Sequence, residues 1–409
     1  MRIKMVKVRG ANIVILAVTL AALLLLTACA PEIPAERQKA VEIGYISPFT
    51  GAGAAQEQIS LSAVLDYIRY FNEGNYIPGE TIEVSWGDSA SSLDRFVSIY
   101  ERFKDRDMPV MISNDTFGIV PRQSILERDR IPLLSANPVK EIVYPPRWYY
   151  FFRPSWAEQF AAVADYIMEN WQKETPPKLA LIGVDSTFGR QPIPEAGDYA
   201  QSLGIEMLPM EFVPYVVLDA GGQLLRLSEQ GADYVYISGL IVTSGPILRD
   251  ADRLGLLGQV QFCGLEASAG ERLIEMAGAA SDGYFFPKSL PAIDEIEVPG
   301  IKLMRDVQAE YHGKVIMEEE YVVGWAEIAV TCEAVRRAVV ERGYENLDGS
   351  AIKEAFDSIK DFDVYGLVNI SYTTEDHRGS DKVAMYQTRG SEIVRATDWR
   401  SAPMLVPQG

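Results

Sequence analysis

Apolar positions along the chain alternate between short continuous runs and stripes with helical spacing. Residues 41–46 form an apolar-rich run, and Leu61, Val64, Leu65 and Ile68 follow at the i, i+3, i+4, i+7 spacing of an amphipathic helix. A break with Gly74, Pro78 and Gly79 leads to a second run at 81–86. Phe96, Ile99, Tyr100 and Phe103 repeat the helical stripe, 110–112 and 132–135 read as strands, and 124–129 reads as a short helix between them. This βαβαβ order predicts a parallel sheet covered by helices on both faces.

The pattern restarts after residues 149–153. Phe160, Val163, Ala164 and Ile167 mark a helix face, and buried-type strands are predicted at 179–184, 206–212, 234–237, 260–263 and 283–286, with a helix near 247–254. Helices through Ile328, Cys332, Val335 and Val339 and around 352–359 come next, and the tail from Tyr365 onward reads as hairpin strands. Two successive βα series predict an α/β protein of two similar lobes rather than one large sheet.

The first residues change the picture. Arg2, Lys4, Lys7 and Arg9 precede residues 11–26, a run interrupted only by Asn12 and Thr19, as in the charged and apolar regions of a secretion signal. The run is short for a membrane span. It ends in Leu26-Thr27-Ala28-Cys29, which resembles the bacterial lipobox. That resemblance implies cleavage of residues 1–28, lipidation of Cys29 and a tether over 29–39. The address expected is extracytoplasmic, on the membrane surface through the lipid anchor.

Composition narrows the function classes. The 409 residues carry 38 Lys+Arg against 57 Asp+Glu, a formal charge of −19, which argues against a nucleic-acid partner. Two histidines, His312 and His377, leave little for a histidine-based triad or a zinc site, so neither metal nor cofactor is expected. Beyond Cys29 only Cys263 and Cys332 remain, and two buried thiols are a simpler reading than a bridge. Gly51-Ala52-Gly53 lacks the third glycine of a dinucleotide loop, since Gln56 stands there, and reads as a strand-to-helix turn opening on a cleft. Gly87-Asp88-Ser89 is like an esterase nucleophile block, but neither histidine follows an aspartate by three residues. Glu318-Glu319-Glu320 reads as a solvated charge run.

Four segments carry a resemblance to one family. Ile43-Gly44-Tyr45-Ile46-Ser47-Pro48-Phe49-Thr50-Gly51 resembles the opening of the type I periplasmic binding proteins of the branched-chain amino acid transport class. The strand at 179–184 with Asp185-Ser186-Thr187-Phe188-Gly189 resembles that family's second-lobe strand and turn. Residues 234–254 with Gln261-Phe262-Cys263-Gly264-Leu265-Glu266 resemble the unit that supplies an acidic ligand residue, and Asp376-His377-Arg378-Gly379 resembles a tail element. The resemblance implies two doubly wound lobes joined by three crossovers: 40–153 plus 287–361, and 154–286 plus 362–400. It implies a non-enzymatic, monomeric receptor that delivers a small ligand to the permease and ATPase of an ABC importer. A sensor subunit of the same fold is the alternative, and a secreted hydrolase is disfavoured by the missing base.

The same resemblance places Thr116, beside Asp115, on a position that holds a ligand carboxylate, and Glu266 on the acid that holds an ammonium. Thr116 reads equally as a helix cap, Glu266 as a strand-end surface carboxylate, and Asp185 as a turn former. Phe117, Trp156 and Phe188 are candidate apolar walls, with Ser47, Gln56 and Tyr321 as further candidates. A hydroxyl expected near Val139 and an aromatic expected near Leu240 are absent. An amino acid, an amide or an aromatic acid is therefore the expected ligand.

Overall fold

The computed structural model describes residues 39–51 and 53–405. The secretion signal, Cys29 and the tether up to residue 38 lie outside the described residues. Among the described residues no helix is long and apolar enough to cross a membrane.

Two sheets organise the chain. The first runs in the order 80–88, 39–47, 111–113, 133–134, 149–150, and the last four strands pair in parallel. In chain order this is 2-1-3-4-5. The second sheet repeats that order with Glu206–Met207, Lys178–Val184, Tyr234–Ser238, Gln261–Gly264 and Phe285–Lys288, all parallel. Glu211–Val213 also pairs with Lys178–Val184, and the tail strands Lys382–Arg389 and Glu392–Arg395 extend the sheet antiparallel. In the 2-1-3-4-5 order, the chain switches direction between the first and third strands, and a crevice opens outside their carboxyl ends. Here two such switch points occur, one per sheet.

The strands form where apolar residues run unbroken: Tyr45, Ile46, Met111, Ile112, Leu133 and Leu134 are all buried. One core lies between the first sheet and the helices Ala54–Glu73, Pro299–His312, Glu319–Arg342 and Gly349–Asp357. A third core covers the far face of the second sheet. The middle core is continuous across both halves: Ile46, Met111 and Leu133 pack in the same cluster as Phe160, Leu181, Tyr236 and Phe285. Cys263 lies in this middle core and Cys332 in the first, both free and buried.

The chain crosses between halves at 151–155, after Lys288, and after Tyr372. Val364, Leu367, Ile370 and Tyr372 belong to the first core, so the chain stays with the first sheet beyond residue 361. The first and third crossings are tied together. The Phe151 N–H donates to the His377 carbonyl (2.9 Å), the Tyr372 hydroxyl donates to the Phe151 carbonyl (2.7 Å), and the His377 ring stacks on Tyr150 with centroids 4.2 Å apart. Arg378 pairs with fully buried Glu158 at 2.9 Å. Glu158 also closes a capping box with Ser155 at the start of helix Trp156–Asn170.

Candidate functional site

The carboxyl ends of both sheets converge on one cavity of ≈ 390 Å³. From the first sheet, the turn after Lys39–Ser47 brings Pro48, Gly51 and Gly53, and the loop after Met111–Ser113 brings Asn114, Asp115, Thr116 and Phe117. The glycine-bearing turn leads into helix Ala54–Glu73, which adds Gln56, Glu57 and Ser60. From the second sheet come Phe188, Tyr215, Leu240, Glu266, Phe286 and Lys288. Arg153 and Trp156 enter from the first crossing, and Glu319, Glu320 and Val323 from the start of helix Glu319–Arg342. Every strand-end loop at the two switch points therefore contributes to one enclosure.

Of the residues named from sequence, Asp115, Thr116, Phe117, Trp156, Phe188 and Glu266 line the cavity, and Gln56 joins them. Trp156 and Phe188 meet edge to face with centroids 5.9 Å apart. Ser47 stands elsewhere: it is fully buried in the sheet, and its hydroxyl accepts the Asn114 N–H at 3.1 Å. Tyr321 faces the first core and donates to Asp66 at 2.7 Å. Asp185 lies on the surface outside the cavity, paired with Arg190 at 2.7 Å, because the turn points its carboxylate to water. Asp88 accepts from Thr50 and from the Ala90 N–H, shaping a turn, and Ser89 beside it is fully buried.

Glu266 is already engaged. It accepts from the Ser289 N–H (3.1 Å) and hydroxyl (2.9 Å) and pairs with Arg153 at 3.1 Å. Arg153 is itself anchored: its Nε donates to the Ala136 carbonyl (2.9 Å), and its guanidinium lies 5.1 Å from the Phe152 ring centroid and 4.9 Å from that of Trp156. Glu318-Glu319-Glu320 is not a solvated run. Glu319 is buried and pairs with buried Lys288, and Glu320 accepts from Gln56 at 2.6 Å. The run begins a helix packed between the two halves, so Glu319 is buried and Glu318 and Glu320 are half-buried.

Burial governs the titration of these groups. It pushes Glu57 up to about 7, outweighing the Ser47 hydroxyl, the Asn114 amide and the Tyr45 hydroxyl, which favour the charged form. Glu327 is pushed up to about 8, first by burial and then by the Glu57 charge beside it. Asp115, Glu319 and Glu320 are also raised by burial, Glu319 despite the opposing pull of Lys288. Burial works against the charge on Lys288, but Glu319 and Glu266 outweigh it and hold the amine above its ordinary value. Among the described residues no cluster of three or more His, Cys, Asp or Glu is arranged to hold a metal ion.

Sequence reasoning missed Arg153, Lys288, Tyr215 and Glu57. Arg153 had a signal, since it stands where the βα pattern restarts. Lys288 ends an apolar strand run and carried none.

A chain with two doubly wound sheets and one charged, aromatic cavity between their carboxyl ends is built as a solute receptor. This chain belongs to the periplasmic binding protein family, whose model matches residues 40–392. A branched-chain amino acid ABC transporter protein from Thermus thermophilus, solved with bound valine, superimposes with a TM-score of 0.83; it is 26% identical, with 89% of this chain and 97% of that one covered. A fatty acid ABC transporter substrate-binding protein from Thermomonospora curvata shares the fold at a TM-score of 0.80 with 15% identity, over 90% of this chain and 95% of that one. The Leu/Ile/Val-binding protein homolog 1 of Brucella suis biovar 1 (strain 1330) is 24% identical over 319 residues, 74% of this chain and 83% of that protein.

Proposed function

We propose that this chain is a lipid-anchored receptor outside the cytoplasm that captures a small amino-acid-like ligand and delivers it to the permease and ATPase of an ABC importer, without catalysis. The observation that carries the reading is the enclosed cavity, lined from both sheets by charged and aromatic side chains. The valine-bound relative from Thermus thermophilus and the Leu/Ile/Val-binding homologue from Brucella suis support an amino-acid-like ligand. On this reading the lobes are 40–153 plus 287–372 and 154–286 plus 382–405, a division supported by the two sheets and by the first core. They close on the ligand by bending at the three crossings, because contacts made by both lobes at once exist only in the closed state.

A thermal-shift screen of the mature chain against amino acids, their amides and aromatic acids tests this. The reading expects a concentration-dependent rise in melting temperature with at least one class. No rise with any of them removes the amino-acid-like ligand.

A further inference from the structure

We infer that Arg153, not Glu266, makes the decisive charged contact in the cavity: it holds the carboxylate of a zwitterionic ligand, with Glu266 as the counter-ion that positions it. The inference rests on the receptor reading above and names its ligand class.

Glu266 has little left to offer an ammonium. Ser289 supplies two donors to it and Arg153 a third, so most of its acceptor capacity is taken. An ammonium that took Glu266 would leave the Arg153 guanidinium buried without its counter-ion, which is costly. Arg153, by contrast, has donors to spare. A guanidinium carries five N–H groups in a rigid fork, and here Ala136 takes the Nε and Glu266 takes a donor on Nη1. The rings of Phe152 and Trp156 fix its plane, and the residue lines the cavity. Although the side chain is only 5% exposed, it lines the cavity, and the N–H groups not taken by Ala136 and Glu266 are left for a ligand carboxylate.

The rest of the cavity wall favours a cationic group on the ligand, since an ammonium beside buried carboxyls stabilises the charged form that burial disfavours. Arg153–Glu266 and Lys288–Glu319 cancel in pairs. Glu57, Asp115 and Glu320 remain, all carried by elements of the first half, and among the described residues no cation forms an ion pair with them. A bare carboxylate would gain Arg153 but leave these buried carboxyls without a cationic partner. A zwitterion satisfies both, with its carboxylate on Arg153 and its ammonium toward the first-half acids. That orientation is the reverse of the one expected from the family resemblance, in which the first half takes the carboxylate and Glu266 the ammonium.

The test compares L-valine, L-leucine and L-phenylalanine with their amides, which keep the ammonium and lose the carboxylate, by calorimetry on the mature wild type and on Arg153→Lys and Glu266→Gln. Glu266→Gln keeps the size of the side chain and one acceptor oxygen while removing the charge, so it reports even where Arg153→Lys folds poorly. The wild type should prefer each bound acid over its amide by at least about 30-fold, and both variants should cut that preference by about ten-fold or more through weaker binding of the acid alone. Equal binding of acid and amide by the wild type overturns the inference and leaves the receptor reading intact. So does a Glu266→Gln variant that loses acid and amide alike, since both carry the ammonium. Binding of none of the six probes by the wild type overturns the amino-acid reading, and the inference with it.

Discussion

Glu57 shows how one side chain at the cavity links burial to pH. Its carboxyl is raised from an ordinary 4.5 to about 7 by burial, with Glu327, Asp115 and Tyr45 facing it and, among the described residues, no cation paired with it. The folded state therefore keeps a proton that the unfolded chain releases between those two values. Stability from this group falls as the pH rises from about 4.5 and is fully lost above about 7. Glu57→Gln should remove that loss. In the unliganded protein, the variant's melting temperature relative to wild type should be higher at pH 8 than at pH 4.5, and an equal difference at both would contradict the account. The aromatic wall and Glu266 were legible at this scale because the family resemblance pointed at strand ends. Glu266's partner was not, because Arg153 meets it only through the fold, and a lone arginine at a pattern boundary carries no sign of what it will touch. The acid run at 318–320 misled for the opposite reason: three adjacent carboxylates suggest water, and only the helix packing covers Glu319.

At the scale of elements, the helix Glu319–Arg342 determines how closely the first core packs. It crosses helix Ala54–Glu73 at Gly324, where an added Cβ would come 2.4 Å from the Ser60 carbonyl oxygen. Backbone cannot yield as a flexible side chain can, so Gly324→Ala should push the two helices apart and cost about 1–3 kcal/mol in denaturant unfolding. An unchanged midpoint would show that the crossing is looser than described. Ser155→Ala breaks the capping box that starts helix Trp156–Asn170, and about 1 kcal/mol should be lost by the same measurement, with no loss contradicting the cap's role. Strands and the strongest helical stripes were readable from periodicity. Helix Gly221–Glu229 was not, because it opens on two glycines that read as a turn, and the predicted strand at 206–212 divides into Glu206–Met207 and Glu211–Val213. Four turns of Pro299–His312 also escaped, since its charged face interrupts the apolar stripe.

For the whole molecule, the two parallel sheets were legible as two βα series, because each parallel strand needs its own crossover helix, but their 2-1-3-4-5 strand order was not, since periodicity does not say which strands lie side by side. The continuous middle core was not, since packing between distant segments leaves no local pattern. The proposed anchor makes its own prediction: Cys29→Ser should abolish incorporation of radiolabelled fatty acid in cells, and a variant that still takes up label would contradict lipidation at that residue. The central claim is that one small ligand is enclosed between two lobes that close on it. Small-angle X-ray scattering of the mature chain, without and with a saturating concentration of the ligand selected by the thermal screen, measures this directly. The account predicts a smaller radius of gyration in the liganded protein, from lobes bending together at the three crossings. A radius that stays the same at saturation would contradict closure, and with it the capture mechanism.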